Sequence, residues 1–397
     1  MIRESKIREN IYSFRSALKD RSDIVIIGGG IVGLAIAYNL ARKGKRSVQL
    51  LERSYIGSGA STRNAEHVGT NFSVKENVLL SRESLRIWRR LSSELGFNTL
   101  FSKQTEFHLA YDEDHVRRLT TALDYHRDVG LRSKFMSATE LKAMMPFLNV
   151  DGVSTVAAFQ SDSTAHHDAV IWGYARKAFE LGVGINTYAP ALNIRMKNGN
   201  VDSVITSNGP IRTSLVINAA GAWSKQVASW VGIDLPTVSR RREIMVTEPL
   251  KHFLEHSISC MKSGVYFHQT LRGEVIGAGI QGKLTTTSFD NTSSAYFIKK
   301  YARNIVDIFP ALAHVNLMRQ WAGLRDETID NNPIIGWVDE VGGFYQANAF
   351  HGNGFGLGPI MGKLIAEDIL DGRSSLPLDR FDLNRFKEGR LIHEAAH

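Results

Sequence analysis

The chain has 397 residues, of which 43% are hydrophobic and 22% charged, with a formal net charge of +8. This length exceeds one small core, so we expect two lobes. No run of eighteen apolar residues occurs, so we predict no membrane span. Cys260 is the only cysteine. Because no intrachain disulfide can form and the charged N-terminus lacks an apolar signal core, we predict a cytoplasmic protein.

The excess of basic residues is dispersed along the chain. The one tight cluster is Arg240-Arg241-Arg242, directly before the strand-like run 244–246. Dispersed charge does not build the continuous basic face that nucleic acids require, so we predict no nucleic-acid partner. A mild attraction for anionic substrates or partners is the simpler interpretation.

The first part of the chain carries an amphipathic pattern and then a nucleotide-binding pattern. Residues 1–21 are predicted to form a helical arm. A strand-like run follows, and it leads into a turn in which Gly28 permits the bend, Gly30 lets the backbone approach a pyrophosphate, and Gly33 lets the next helix pack on the strand. Glu52, at the end of the next strand, is placed to accept hydrogen bonds from ribose hydroxyls.

The remaining elements alternate in type along the chain. We predict helices over residues 75–95, 113–128, 169–181 and 294–308, a hairpin turn at Asn198-Gly199, and several strands over residues 236–324. Two more small-residue turns follow strands, one at 219–221 and one at 352–356, and the second is predicted to open a helix from Pro359 to Leu370. Three such turns indicate one nucleotide-binding domain that is assembled from separate segments.

These motifs together resemble the flavin-dependent amine oxidoreductases of the D-amino-acid-oxidase superfamily, and within it the β subunits of heterotetrameric sarcosine oxidases. The similarity extends from Asp23 to Leu370. It is carried by the segments IIGGGIVGLAIAYNLARKG, LLERSYIGSGASTRN, HHDAVIWGYARKAFELGV, VINAAGAWS, VIGAGIQG and RQWAGLRDETIDNNPIIG. The sequence around 354–359 is also similar to dye-linked L-proline dehydrogenase β subunits.

The resemblance implies an α/β fold with a Rossmann-like FAD-binding domain and an inserted antiparallel-sheet substrate domain. The predicted FAD-binding domain is discontinuous, over 22–80, 155–235 and 325–390. The substrate domain is predicted over 81–154 and 236–324, after the N-terminal arm at 1–21.

The resemblance also implies noncovalent FAD in an extended conformation. The turn at 352–356 would direct a helix N-terminus at the flavin N1–C2=O edge, where the helix dipole stabilises the negative charge of the reduced ring. The implied cofactor contacts are Gly28, Gly30, Ile31, Val32, Gly33, Glu52, Arg53, Ser61, Thr62, Arg63, Asn64, Ala191, Ala219, Ala220, Gly221, Trp223, Gly352, Asn353, Gly354, Phe355 and Gly356.

A second flavin is implied at His167. In the β subunits of heterotetrameric sarcosine oxidases, the histidine directly before Asp-Ala-Val-x-Trp-Gly carries covalent FMN, and His167 occupies that position. A neutral imidazole is a suitable nucleophile for such a bond. The alternative is that His166 and His167 are ordinary polar residues at a helix start. With FMN, the resemblance implies an α-like partner subunit in a hetero-oligomer.

Two departures from the family affect the substrate site. The sarcosine oxidase pattern has an Arg where this chain has Gly69 and a Lys where it has Gly356, so sarcosine itself is in doubt. Arg325 is the candidate replacement, because a guanidinium can hold a carboxylate through two hydrogen bonds. His67 and His351 adjoin the implied flavin loops and are candidates for a base or a hydrogen-bond donor, against a local structural role.

The implied reaction is oxidation of the C–N bond of a secondary or cyclic amino acid, with hydride transfer from the α-carbon to flavin N5 and an imine product. One alternative is a dehydrogenase subunit for proline, hydroxyproline or an opine that passes electrons through FMN. Another is a non-catalytic flavoprotein with an assembly role. The sequence shows no CxxC and no His/Asp cluster at ligand spacing, so we predict no metal. Cys260 is interpreted as a buried bystander.

Overall fold

The computed structural model of the protein describes residues 16–45, 47–279 and 289–394. Most of the predicted N-terminal arm and the end of the VIGAGIQG segment lie outside these ranges. Residues 16–21 are described and are not helical.

A six-stranded sheet forms the centre of the nucleotide-binding lobe. Three of its strands have the sequences IVII, VQLL and LVIN, and every residue of these three is buried. Such strands are expected in a parallel sheet that is covered on both faces. All neighbours pair in parallel except the first two. In spatial order the strands are Ile334–Trp337, Phe344–Asn348, Leu215–Asn218, Ile24–Ile27, Val48–Leu51 and Gly184–Asn186.

An eight-stranded sheet forms the second lobe, and its pairs are antiparallel except for one parallel pair, between Ser257–Cys260 and Glu106–Ala110. Its core contains Phe267, Leu109 and Ile258, all almost fully buried. The predicted α/β fold with an antiparallel-sheet lobe is therefore confirmed. In spatial order the strands are Leu317–Thr328, Thr237–Pro249, Glu274–Ala278, Val265–Gln269, Ser257–Cys260, Glu106–Ala110, Thr155–Phe159 and Ser133–Met136.

Two three-stranded antiparallel sheets complete the strand inventory of the described ranges. One consists of Ala191–Lys197, Asn200–Thr206 and Gly209–Arg212, and the other of His67–Val68, Ser163–Thr164 and Ser102–Lys103. The predicted hairpin turn is confirmed, because Asn198 and Gly199 both have positive φ (51° and 76°), as a type I′ turn requires.

Eight α-helices are described, and small residues allow two of them to cross closely beside the six-stranded sheet. A Cβ built on Gly362 would lie 2.5 Å from Ala35 Cβ, so the two helix backbones pack without a side chain between them. None of the described helices is both long enough and apolar enough to cross a bilayer. The helices are Ile31–Arg42, Lys75–Leu95, Glu113–Val129, Ala138–Met144, His167–Glu180, Ser224–Ser229, Ala295–Ile308 and Gly354–Asp371.

The predicted N-terminal limit of the last helix is wrong. The helix begins at Gly354 rather than at Pro359, and Pro359 lies inside it. The glycine turn itself forms the first helical turn. Pro359 lacks only the N–H that would reach the carbonyl of Phe355, so a proline this close to the helix start leaves most of the hydrogen bonds intact.

The domain limits remain a prediction. The position of one strand and the position of one helix each favour a change in these limits. The strand Thr155–Phe159 pairs with Glu106–Ala110 in the eight-stranded sheet, so we propose that the second nucleotide-binding segment starts after Phe159. The limit between 80 and 81 falls inside Lys75–Leu95, whose buried face packs in the core of the nucleotide-binding lobe. We therefore assign that whole helix to this lobe.

Candidate active site

The carboxyl ends of four adjacent strands converge at one edge of the six-stranded sheet. Ile24–Ile27 leads into Gly28, Val48–Leu51 into Glu52, Leu215–Asn218 into Ala219, and Phe344–Asn348 into the loop before Gly352. The strand Ile24–Ile27 lies between Val48–Leu51, which follows it in the chain, and Leu215–Asn218, which comes much later. Ligands of open α/β sheets bind at such a topological switch point.

The first glycine loop leaves no space for side chains. Gly28 has φ +120°, and a Cβ built on it would lie 2.2 Å from the carbonyl oxygen of Ala219. A Cβ on Gly33 would lie 2.1 Å from the carbonyl oxygen of Gly28. A Cβ on Gly30 would lie 2.9 Å from Ser61 Oγ. The loop is therefore a bare backbone cradle at a helix N-terminus, which suits a pyrophosphate.

Glu52 ties this loop to the next one. Its Oε2 accepts from the backbone N–H of Gly29 at 2.9 Å, and its Oε1 accepts from Ser54 N at 2.8 Å and Ser58 Oγ at 3.1 Å. The carboxylate is 7% exposed and lies on the wall of the cavity described next. It is thus fixed in orientation at the position where a ribose would bind.

A cavity of about 740 Å³ extends from the first glycine loop into the space between the lobes. The bare glycine cradle and the fixed acid on its wall fit the pyrophosphate and the ribose of an extended FAD. The predicted residues on its wall are Gly28, Gly30, Ile31, Val32, Glu52, Arg53, Ser61, Arg63, Asn64, His67, Ala191, Ala219, Ala220, Gly221, Trp223, Arg325, Gly352, Asn353, Gly354, Phe355 and Gly356.

Four predicted site residues do not line the cavity. Gly33 packs behind the loop, and Thr62 Oγ1 donates to the Gly57 carbonyl at 2.8 Å. His351 is buried with φ 50° and donates its backbone N–H to the Asp326 carbonyl at 3.2 Å. His167 lies behind the cavity wall. Gly33 and Thr62 therefore shape the loop from behind it.

Side chains from two lobes hold the glycine turn at residues 352–356, called here the second glycine loop, and the residues just before it. Trp88 Nε1 donates to the Gly356 carbonyl at 2.9 Å. The Asp326 carboxyl accepts from the backbone N–H of Ala349, a non-glycine residue with φ 59°. Burial raises the pKa of Asp326 to about 6, against the lowering effect of that backbone hydrogen bond. These contacts aim the N-terminus of the last helix at the cavity.

Three arginines share one face of the two long strands beside this loop. Glu327 binds two of them, Arg240 Nε and Arg242 Nη2, both at 2.8 Å. Arg325 faces the same side, and its Cζ would lie 2.4 Å from a Cβ on Gly352. Among the described residues it has no acidic partner. Burial and the nearby Arg325 lower the pKa of Arg242, so this wall of the cavity carries excess positive charge.

A cluster of titratable side chains lies where His67 lines the cavity. Its Nε2 is 3.5 Å from Glu106 Oε2 and 3.7 Å from Asp162 Oδ2. A Cβ on Gly69 would lie 2.6 Å from His67 Cε1, so the imidazole fills the space that a side chain at Gly69 would take. A Cβ on Gly356 would lie 4.0 Å from Gly69 N. The two glycines that replace basic residues of the family are therefore neighbours.

The pKa values of the two carboxyls of this cluster shift in opposite directions. Burial alone would raise the pKa of Glu106, but the adjacent His67 and His108 rings outweigh it and hold that pKa well below its usual range. Burial and the nearby Glu106 carboxylate raise the pKa of Asp162 well above its usual range, against a hydrogen bond from Thr70. The pair therefore carries one charge, on Glu106, and one proton, on Asp162.

A second cluster surrounds His167. Its Nδ1 is 3.9 Å from Glu66 Oε1, and His166 Nδ1 is 3.6 Å from the same oxygen. Burial, with smaller effects of His166 and Arg272, lowers the pKa of His167 to about 3. Burial raises the pKa of Glu66 to about 7, against Arg272 at 3.2 Å. His167 is thus a neutral imidazole, the state that a nucleophile requires.

Each of these clusters holds three candidate metal-ligand atoms within 4.8 Å of one another. The sequence contains no pattern of metal-ligand spacing, because the residues of each cluster come from separate segments that only the fold brings together. Arg272 occupies one side of the second cluster, and a shared proton accounts for the first, so neither cluster requires a cation. Cys260 is buried, as predicted, with Sγ 3.5 Å from the Tyr111 hydroxyl, although it also reaches the cavity wall.

Sequence reasoning missed several polar residues of the cavity. Arg242 was interpreted only as part of a basic cluster, and Glu106, His108 and Asn71 were not considered. The signal was available for two of them. Glu106 and His108 are two residues apart in a buried strand and therefore lie on one face of it, where unpaired polar side chains are costly.

Comparison with known proteins identifies the family of this chain. The DAO family model, FAD dependent oxidoreductase, matches residues 23–368. The β subunits of sarcosine oxidase from Rhizobium meliloti and Rhodobacter capsulatus are 31% and 28% identical, each over 95% of this chain and 91% and 92% of their own lengths. The crystal structure of L-proline dehydrogenase from P. horikoshii superposes with a TM-score of 0.89 at 31% identity, over 94% of this chain and all of that one. The chain therefore belongs to the DAO family of FAD-dependent oxidoreductases and is an FAD-dependent enzyme of amino acid C–N oxidation.

Proposed function

We propose that the substrate is a secondary or cyclic amino acid other than sarcosine, such as proline, hydroxyproline or an opine. The observation that carries this proposal is Arg325, a cation on the cavity wall with no acidic partner among the described residues. A carboxylate is the complementary ligand, because a guanidinium holds it through two charge-assisted hydrogen bonds. Bound FAD supplies the electron acceptor for the oxidation.

The surroundings of Arg325 favour it as the carboxylate anchor over its neighbours. Glu327 already binds both Arg240 and Arg242, whereas Arg325 has no acidic partner among the described residues. The packing of Arg325 against Gly352 holds its guanidinium beside the second glycine loop. A carboxylate bound there would place the substrate in the cavity whose wall also carries His67.

The test is anaerobic bleaching of the flavin absorbance by a panel of secondary amino acids, opines and D-amino acids. The proposal expects proline, hydroxyproline or an opine to reduce the flavin faster than sarcosine does. Sarcosine as the best substrate would contradict the proposed class. A protein that binds FAD but is reduced by no member of the panel would favour the assembly role instead.

A dehydrogenase that does not use oxygen is the second candidate. The observation that favours it is the similarity to L-proline dehydrogenase over 94% of this chain. Reoxidation of the bleached flavin separates the two candidates. Rapid recovery with air indicates an oxidase, and recovery only with a dye or a partner flavoprotein indicates a dehydrogenase.

We also propose that FMN binds at His167 where an α-like subunit covers this chain. The backbone of Asn64 forms a hydrogen bond with His167, and Asn64 also lines the FAD cavity. An FMN bound at His167 would therefore be separated from the FAD site by this one residue.

The size of the native complex tests the partner. Copurification of this chain with a larger flavoprotein subunit is the expected result. A fully active single chain from the native source would refute the partner proposal without affecting the amino acid oxidation.

A further inference from the structure

We propose that His67, oriented by Glu106, accepts the proton of the substrate ammonium, so that this chain binds its substrate as the zwitterion and oxidises it as the free amine. The inference rests on the proposed amino acid substrate and adds a proton acceptor to the cavity wall that also carries Arg325. It concerns the cluster His67–Glu106–Asp162, which joins three separate segments of the chain.

The position of the imidazole supports this role. His67 lies on a short strand that pairs with Ser163–Thr164 and is thereby held beside the second glycine loop. Its Nε2 points at the buried carboxyls, at 3.5 and 3.7 Å. Its Nδ1 belongs to the part of the ring that occupies the place of a side chain at Gly69, 3.0 Å from the position of that Cβ, and His67 lines the cavity. One nitrogen is therefore available to the substrate.

The hydrogen bonds of the cluster determine the tautomer. Asn71 Nδ2 lies 3.3 Å from His108 Nδ1, which makes that nitrogen an acceptor and His108 Nε2 a donor to Glu106 Oε2 at 2.7 Å. The same Oε2 is the oxygen nearest to His67 Nε2, at 3.5 Å and without a hydrogen bond between them. In the proposed role His67 turns Nε2–H toward this oxygen and offers the lone pair of Nδ1. Catalytic histidines oriented by a carboxylate have this arrangement.

The second carboxyl completes the charge balance. Asp162 is fully buried, Thr70 donates to its Oδ1, and Oδ2 has no hydrogen-bond donor in the described part of the structure. A proton on Asp162 supplies the missing hydrogen toward Glu106. The cluster then has one negative charge, and this charge is placed to compensate an imidazolium at His67.

The proton transfer balances without a further reactant. A substrate N–H bond breaks, its electron pair stays on nitrogen, and the proton forms a bond to His67 Nδ1. The free amine has the lone pair that C–N oxidation needs, and the proton later returns to water through the cavity. The other titratable groups that face His67 are Glu106 and His108 from one strand, Asp162 from the turn before Ser163, and His268 from a third strand.

The first test is the pH dependence of anaerobic flavin reduction in the FAD-loaded protein, with L-proline and then the fastest amino acid of the panel. In His67→Gln the rate at pH 7 should fall by about a hundredfold or more and should recover as pH rises, because only substrate that is already unprotonated reacts. His252→Gln, an exposed histidine outside the cavity, is the control and should keep the wild-type profile. A fall in His67→Gln that is equal at every pH would mean a structural role and overturn the proposal.

The second test compares the two carboxyls. Asn resembles a protonated Asp162, whereas Gln removes the charge of Glu106. Glu106→Gln should therefore slow reduction at least tenfold more than Asp162→Asn does, and equal effects would contradict the assignment of charge and proton.

The third test measures binding and needs no turnover. Calorimetry compares L-proline with tetrahydrofuran-2-carboxylate, which has oxygen in place of the amine. His67→Gln should weaken L-proline binding and leave the analogue within about threefold. Equal weakening of both ligands would refute the role of His67 in binding the amine. If the wild-type protein binds neither ligand and no amino acid reduces its flavin, the proposed function fails, and the inference that rests on it fails as well.

Discussion

Arg325→Ala is the most direct test of the substrate site. The guanidinium lies on the cavity wall, packs against Gly352 and has no acidic partner among the described residues. Its removal should therefore disturb little of the protein's own hydrogen bonding. What the substitution removes is a contact with the substrate carboxylate. One charge-assisted contact contributes about 1.5–3 kcal/mol of binding free energy, and a well-buried one contributes somewhat more. At 1.4 kcal/mol per tenfold change, KM should rise by roughly ten- to a thousandfold.

The assay is the concentration dependence of anaerobic flavin reduction, which separates substrate affinity from the limiting rate. Arg325→Lys keeps the charge but loses the planar fork, so an intermediate effect of about tenfold is expected. Arg303→Ala on the helix Ala295–Ile308 is the control, because it removes one exposed positive charge far from the cavity wall. An unchanged KM in Arg325→Ala, or an equal change in the control, would refute the assignment of a carboxylate anchor.

Three further predictions concern the cofactors and the stability of the fold. Gly30→Val should abolish FAD binding, because its Cβ would lie 2.9 Å from Ser61 Oγ in the phosphate cradle; retained flavin absorbance after gel filtration would contradict this. In the co-expressed complex, FMN should remain with this chain after acid precipitation and His167→Asn should release it, whereas FMN that acid frees completely from the wild type would exclude the covalent bond. Asp330→Asn should lower the free energy of unfolding by about 3–5 kcal/mol, because it leaves the fully buried Arg385 without its carboxylate. Since Arg385 lowers the pKa of Asp330 despite the opposing effect of burial, this stabilisation is present above the unfolded pKa of about 4 and is lost as pH falls below it; denaturant midpoints at pH 7 and pH 3 that differ equally in wild type and variant would argue against the ion pair.

The dinucleotide loop could be predicted from the sequence because its requirements are local. Gly28 has a backbone conformation that side chains rarely adopt, and a Cβ at Gly33 would meet the loop's own backbone. Only glycine satisfies both conditions, and the buried strand and helix on either side have their own hydrophobic patterns. The helix limit at Pro359 was wrong for a local reason too, since proline is tolerated in the first turns of a helix and does not mark where it starts.

The polar half of the site was decided by tertiary structure. His67, Glu106 and Asp162 are far apart in the chain, and no spacing rule connects them until two strands and the turn before a third bring their side chains within 4.8 Å. The state of each carboxyl depends on that proximity, because two buried acids cannot both carry a charge. Arg325 was a visible candidate, but its lack of an acidic partner became apparent only when Glu327 was found to bind the two neighbouring arginines. The sequence alone thus determined the family, the FAD loop and the lobes, whereas the charges that select a substrate depend on which side chains the fold places side by side.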